Sequence, residues 1–209
     1  WLDYAGERRV RFSAGSDCPA TVLRRAKTLF DADAGWTMRR DQQGALEHLL
    51  QAAQTSGHEL RCRDDVWQFI AQIRDGERRH VALKEAYPKG VKDKALTRLL
   101  KVKLYPYQAE GALFAALAGR CLIGDEMGLG KTIQTIAAAE LFARHFGVSR
   151  VLVVCPTSLK HQWKNEIERF ADRSVQVIHG LRAQRQQQYR EDVFCKITNY
   201  ETLVRDADL

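Results

Sequence analysis

Gly124-Asp125-Glu126-Met127-Gly128-Leu129-Gly130-Lys131-Thr132 places a glycine-rich stretch directly ahead of a lysine and a threonine. That spacing suits a loop built to hold phosphate. Gly128 and Gly130 allow the backbone to bend sharply, so that successive amides face phosphate oxygens. A helix beginning at Lys131 adds its N-terminal dipole to the attraction. The Lys131 ammonium can reach the β- and γ-phosphates of a nucleotide, and the Thr132 hydroxyl can ligate Mg²⁺. Residues Asp125, Glu126, Met127, Gly128, Leu129, Gly130, Lys131, Thr132 and Ile133 are therefore the candidate nucleotide-binding set, with ATP and Mg as the implied cofactors. Lys131 and Thr132 are the candidates for acting on the reacting phosphates. The strict pattern puts glycine at position 125, where this sequence has Asp125, with Gly124 one residue earlier.

Such a loop works only between a strand and a helix, and the flanking residues predict both. Arg120-Cys121-Leu122-Ile123 reads as a short strand, and residues 131–145 as a helix with Ile133, Ile136, Ala137 and Leu141 on its buried side. Ahead of them, 104–118 reads as a helix entered through Tyr105-Pro106-Tyr107. Val151-Leu152-Val153-Val154-Cys155 is continuously apolar and reads as a strand buried on both faces. Leu159, Trp163, Ile167 and Phe170 fall on one helix face. Strands over 175–178 and 193–198 follow, separated by an exposed polar helix over 182–190. Alternating strands and helices predict a parallel sheet with helices on both faces.

The first hundred residues differ in character. Residues 9–13 alternate as a short strand, and Val22, Leu23, Ala26, Leu29 and Phe30 share a helical face after Asp17-Cys18-Pro19. A second helix carries Leu46, Leu49, Leu50 and Ala53 and stops before Gly57. Leu60 and Cys62 suggest an extended piece, and Asp64 caps a third helix with Trp67, Ile70 and Ile73 facing inward. The result is a small, mainly helical module over 1–100. Its basic stretch Arg74-Asp75-Gly76-Glu77-Arg78-Arg79-His80, with Lys89, Lys92, Lys94, Arg98, Lys101 and Lys103, reads either as a solvated helix face and loop or as a phosphate-tracking surface.

Composition frames these readings. The chain has 209 residues, a formal net charge of +7 and 45% hydrophobic residues, with a pI of about 9.3; a basic balance favours polyanionic partners. No apolar run reaches the roughly 20 residues of a membrane span, and nothing at the start reads as a signal peptide. The five cysteines include no C-x-x-C pair, so reduced thiols are expected, with Cys121 and Cys155 buried in strands. The missing initiator Met and the end at Leu209 suggest an excised piece. Short runs of five or more basic residues are missing, which suggests a bacterial cytoplasmic setting over a nuclear one.

Asp125 to Gln134 resembles motif I of the Swi/Snf-type remodeller ATPases of helicase superfamily two, whose form has Asp in place of the first glycine. Leu104-Tyr105-Pro106-Tyr107-Gln108-Ala109-Glu110-Gly111 is similar to that family's adenine-recognising segment. Val151 to Pro156 with Thr157-Ser158-Leu159, Gln162-Trp163 and Glu166 resembles motif Ia, and Ile197-Thr198-Asn199-Tyr200-Glu201 resembles motif Ib. The resemblance covers about residues 104 to 203. It implies an α/β, P-loop NTPase fold of RecA-like type, with residues 101–209 forming part of a first lobe. It implies that Gln108 selects ATP through its amide, and that Thr157, Ser158, Lys160, Thr198 and Tyr200 contact nucleic acid, with double-stranded DNA as the partner. It also implies a motor that hydrolyses ATP while moving on duplex DNA. The family's Asp-Glu pair, which holds Mg²⁺ and positions the attacking water, does not follow Ile197, so this piece is expected to bind nucleotide weakly, if at all, without turnover. A strand-separating helicase, a restriction-type motor, a small-molecule P-loop kinase and a non-enzymatic DNA-binding module stay open as alternatives. Protein partners and oligomeric state are not specified by the residues.

Overall fold

A computed structural model describes residues 2–4, 10–39 and 45–209; Arg9, where the first expected strand begins, lies outside them. Two compact units divide within a long helix, the first spanning Trp1–Arg78 and the second Arg79–Leu209.

In the first unit the strands are β1 (Leu2–Tyr4), β2 (Val10–Phe12), β3 (Phe30–Asp31) and β4 (Thr37–Met38). They form an antiparallel sheet in the order β1-β2-β4-β3, with Leu2 opposite Phe12 and Phe30 opposite Met38. Helices α1 (Ala20–Leu29) and α2 (Leu46–Thr55) carry most of the remaining apolar residues. Val22, Ala26, Leu29, Leu46, Leu49 and Ala53 pack with Phe12 and Phe30 into one core. Cys62 pairs with Leu2 in an isolated bridge, so the extended piece expected there is present. Helix α3 (Asp64–Ala86) is far longer than periodicity indicates, because the basic stretch from Arg74 to His80 is helical throughout, Gly76 included. Trp67 does not face inward. It is 43% exposed, and the adjacent Val66 and Phe69 fill the core in its place.

The second unit contains a 3₁₀ turn (Gly90–Lys92), α4 (Lys94–Thr97), α5 (Pro106–Ala118) and α6 (Lys131–Phe146). Then come β5 (Val151–Val154), a 3₁₀ turn (Thr157–Leu159), α7 (Lys160–Phe170), β6 (Val175–Val177), α8 (Arg182–Arg190), β7 (Cys195–Thr198) and α9 (Tyr200–Arg205). The three strands form a parallel sheet in the order β5-β7-β6, with Val151, Cys195 and Val175 in register. Because side chains alternate along a strand, Val151, Val153, Cys195 and Ile197 share one face. Ile136 of α6 and Ile167 of α7 cover it. On the other face Lys196 donates its ammonium to the carbonyls of Tyr189 and Glu191 at the end of α8, at 2.5 and 2.6 Å. This α/β arrangement matches the expected fold class.

In this unit two expectations fail. Residues 120–123 form no strand, because no neighbouring backbone among the described residues pairs with them; Leu122 is 88% exposed and Cys121 is exposed. Strand β5 is not buried on both faces, because it lies at the sheet edge and Leu152 is left open. No helix of the described residues is long and apolar enough to cross a membrane.

Candidate functional site

The loop expected to hold phosphate leads into α6 through Gly130, which adopts the left-handed conformation with φ 76° and ψ 45°. The first helical hydrogen bond runs from the Gln134 amide to the Gly130 carbonyl at 3.2 Å. The amides of Lys131, Thr132 and Ile133 therefore precede any intrahelical acceptor, and with the helix dipole they present partial positive charge at the loop. Gly128 also has a positive φ, 89°. Met127 is nearly fully exposed and Leu129 is exposed, so what these two residues offer an anion is backbone.

Lys131 folds back over its own loop. Its ammonium donates to the Asp125 carbonyl at 2.8 Å and to the Glu126 carbonyl at 3.0 Å. These are neutral acceptors, so an incoming phosphate, being charged, competes for the same donor on favourable terms. The Asp125 carboxylate is held separately: its Oδ2 accepts from Gln134 Nε2 at 2.7 Å. Asp125 thereby braces the loop, and its negative charge is committed to a side chain.

Gln108, on the first turn of α5, is buried. Its Oε1 accepts from the Tyr105 amide at 3.1 Å, and a Cβ placed on Gly130 would sit 2.7 Å from its Nε2. The amide expected to read adenine by both edges thus has its acceptor engaged and its donor against the loop. Beside it the exposed rings of Tyr105 and Tyr107 stack, with centroids 5.8 Å apart and planes within 5°. Sequence pattern does not indicate that pairing, since residues two apart on a regular helix do not meet; Tyr105 precedes the helix, and this brings the rings together.

The segments that resemble motifs Ia and Ib lie at the carboxyl ends of adjacent strands, where parallel sheets gather ligands. Thr157 and Ser158 are exposed after β5. The Asn199 side-chain amide donates to Thr157 Oγ1 and to Glu201 Oε2, both at 2.7 Å, joining the two segments. Asn199 was not among the predicted site residues; only the pairing of β5 with β7 shows its role. Tyr200 is exposed at the start of α9. Thr198 is fully buried, which removes it from any surface a nucleic acid could touch. Lys160 is half-buried with its ammonium on the Ile178 carbonyl at 3.1 Å.

The model of the SNF2-related domain matches residues 33–209, and the chain belongs to that family. It is 44% identical over 72 residues to mouse DNA annealing helicase and endonuclease ZRANB3, covering 34% of this chain and 6% of that protein. It is 36% identical over 121 residues to zebrafish chromodomain-helicase-DNA-binding protein 1-like, covering 51% and 11%. Among solved structures it is similar to the Sulfolobus solfataricus SWI2/SNF2 ATPase core in complex with dsDNA. That similarity has a TM-score of 0.47 and 32% identity, covering 54% of this chain and 25% of the other. The chain thus spans only a small part of the curated relatives it matches. These relatives correct the bacterial cytoplasmic expectation. They come from mouse, cattle, human, zebrafish, Caenorhabditis elegans and Candida albicans, none of them a bacterium, and one is named as a regulator of chromatin. A basic run is a short signal, and its absence carries no weight.

Proposed function

We propose that this chain is the nucleotide-binding part of an ATP-dependent motor that acts on double-stranded DNA. The observation that carries the reading is the loop from Asp125 to Ile133. There Lys131 sits at a turn whose following amides have no helical acceptor. The donor set fits a magnesium-bound nucleotide: the Lys131 ammonium and the amides of 131–133 would hold the phosphates, and the Thr132 hydroxyl would face the metal. Bound magnesium neutralises phosphate charge; orienting the phosphates falls to this chain's own loop. The stacked rings of Tyr105 and Tyr107, with the Gln108 amide beside them, support a role for this segment in holding the base.

Membership of the SNF2-related family and the DNA named in its relatives support the nucleic-acid half of the reading. Thr157, Ser158 and Tyr200 supply an exposed polar and aromatic edge, with Lys160 behind it. We propose further that these 209 residues by themselves bind nucleotide weakly, if at all, and do not turn it over, since no Asp-Glu pair occurs among them after Ile197.

Titration of the chain with a fluorescent ATP analogue and Mg²⁺, then with labelled duplex and single strands of equal length, tests the reading. Saturable nucleotide binding lost in Lys131→Ala, with duplex held more tightly than single strand, supports it. Binding unchanged in Lys131→Ala overturns the nucleotide site, and tighter binding of single strands favours a strand-separating motor. Sustained hydrolysis lost in Lys131→Ala overturns the absence of turnover.

A further inference from the structure

Gln134 lies on the first turn of α6 and is fully buried. Its Nε2 donates to Asp125 Oδ2 at 2.7 Å and lies 3.5 Å from the Leu129 carbonyl. Its Oε1 has no hydrogen-bond partner and presses on Gly111 of α5, where an added Cβ would fall 1.9 Å from Oε1 and 2.8 Å from Cδ. A buried amide with an orphaned oxygen is costly to keep, so packing alone accounts poorly for a glutamine here.

Asp125 is gripped from two sides, its carbonyl by Lys131 and its carboxylate by Gln134. We infer that Gln134 is a positioning residue, a brace that fixes the Asp125 end of the phosphate loop to the α5–α6 interface and remains engaged when Lys131 turns to phosphate. The inference rests on the phosphate-loop reading above. Two consequences follow from the geometry. The loop keeps its shape when the lysine contacts to Asp125 and Glu126 are given up. The Asp125 carboxylate also stays bonded to an amide donor, which restrains it from swinging toward the phosphates and repelling them.

Hydrogen exchange of residues 124–130, measured in the 209-residue chain with and without MgATP, tests the brace. Gln134→Met, which keeps the volume and removes the donor, accelerates exchange of this segment about tenfold, as expected for losing a bond to a charged group. Gln134→Glu sets two carboxylates against each other and does the same or more. Asp125→Asn combined with Gln134→Glu reverses donor and acceptor, and it restores both the wild-type exchange and the nucleotide affinity lost in Gln134→Glu. Rescue by that exchange of roles is not expected of a residue that merely fills space. Gly111→Ala displaces the amide and loosens the same segment, and it adds nothing in Gln134→Ala, so the brace stays testable if Gln134→Glu does not fold. Wild-type exchange in Gln134→Met, or failure of the double variant to restore protection where Gln134→Glu folds, overturns the brace. Slow exchange that depends on Gln134 in a chain that binds no MgATP would leave the brace standing and overturn the nucleotide reading.

Discussion

Asn199 donates its side-chain amide to the Thr157 hydroxyl across the ends of two adjacent strands, at 2.7 Å. A hydroxyl that accepts this bond keeps its own proton free to donate outward, and Thr157 is exposed. Asn199→Ala therefore lowers affinity for duplex DNA about fivefold, the worth of one ordinary hydrogen bond, while MgATP binding is unchanged. Anisotropy of a labelled duplex at fixed salt measures it. Equal affinities for the two proteins would show that the two segments do not act together.

Glu140 ties α6 to the segment leading into β6. Its carboxylate accepts from Arg144 at 2.6 Å and from Arg173 at 2.8 and 3.0 Å, and the Arg173 guanidinium lies 4.6 Å from the Phe194 ring centroid. Glu140 is buried while both arginines reach water, so Glu140→Ala leaves the guanidiniums able to resolvate. The expected cost is about 2 kcal/mol, a fall of roughly 5 °C in melting temperature. Differential scanning calorimetry gives the value directly.

Acid should weaken the second unit. Burial alone pushes the Glu140 carboxyl up, but the hydrogen bonds from Arg173 and Arg144, with their charges, outweigh it and hold the group below its ordinary range. The bidentate hydrogen bonds of Arg185 lower Asp206 in the same way, against the opposing effect of burial. Folded values below unfolded ones mean the fold favours the ionised forms. That stability is fully present above the ordinary carboxylate range, about pH 4, and is lost as pH falls through the lower folded values. Melting temperature should hold level from neutral pH to about pH 5 and fall below about pH 4, with a shallower fall in Glu140→Gln. An equally steep fall in that variant would place the acid sensitivity elsewhere.

Much of this was legible in the residues, and the failures share a cause. The loop from Gly124 to Thr132 is legible because residue type and spacing fix its backbone chemistry locally. Helices α5, α6 and α7 follow from periodicity. Residues 120–123 were misread because a strand exists only where another strand pairs with it, and an apolar run says nothing of that. Leu152 was misread because apolar continuity does not tell a central strand from an edge one. The fully buried strand turned out to be β7, which contains a lysine, and no pattern foretells that its ammonium reaches two helix-end carbonyls. Gln134 and Asn199 were missed as site residues because their roles come from neighbours brought close only by packing.

Thiol chemistry separates what the sequence grouped together. Cys155 and Cys195 are buried, and burial pushes the Cys195 thiol up to about 11. Burial also raises Cys155, with the nearby Lys160 charge opposing part of the rise. Cys121 is exposed. Since the thiolate is the reactive form, iodoacetamide at about pH 8 should label Cys121 in the native chain and reach Cys155 and Cys195 only after unfolding. Peptide mass spectrometry of the alkylated chain reads each site. Rapid native labelling of Cys195 would contradict the closed sheet face under α6 and α7.

Gly130 is the position where a single methyl group should separate nucleotide affinity from folding. With φ at 76° the backbone is left-handed, which costs an alanine about 1–2 kcal/mol. The added Cβ would also stand 2.7 Å from Gln108 Nε2 and 3.0 Å from Ile133 Cγ2. The glutamine must move or the loop must open, and either change displaces the amides that precede Gln134. Gly130→Ala is therefore expected to lower MgATP affinity at least about tenfold, since it disturbs several of the proposed phosphate donors at once. The helix behind the loop keeps its core through Ala137 and Leu141, so the melting temperature should fall by only a few degrees, about the backbone cost alone. In a Gln108→Ala background the clash with the amide is gone while the left-handed backbone remains, so the added loss from Gly130→Ala should shrink. Isothermal titration of the four proteins closes that cycle, and strictly additive losses would show that Gln108 does not set the shape of the loop.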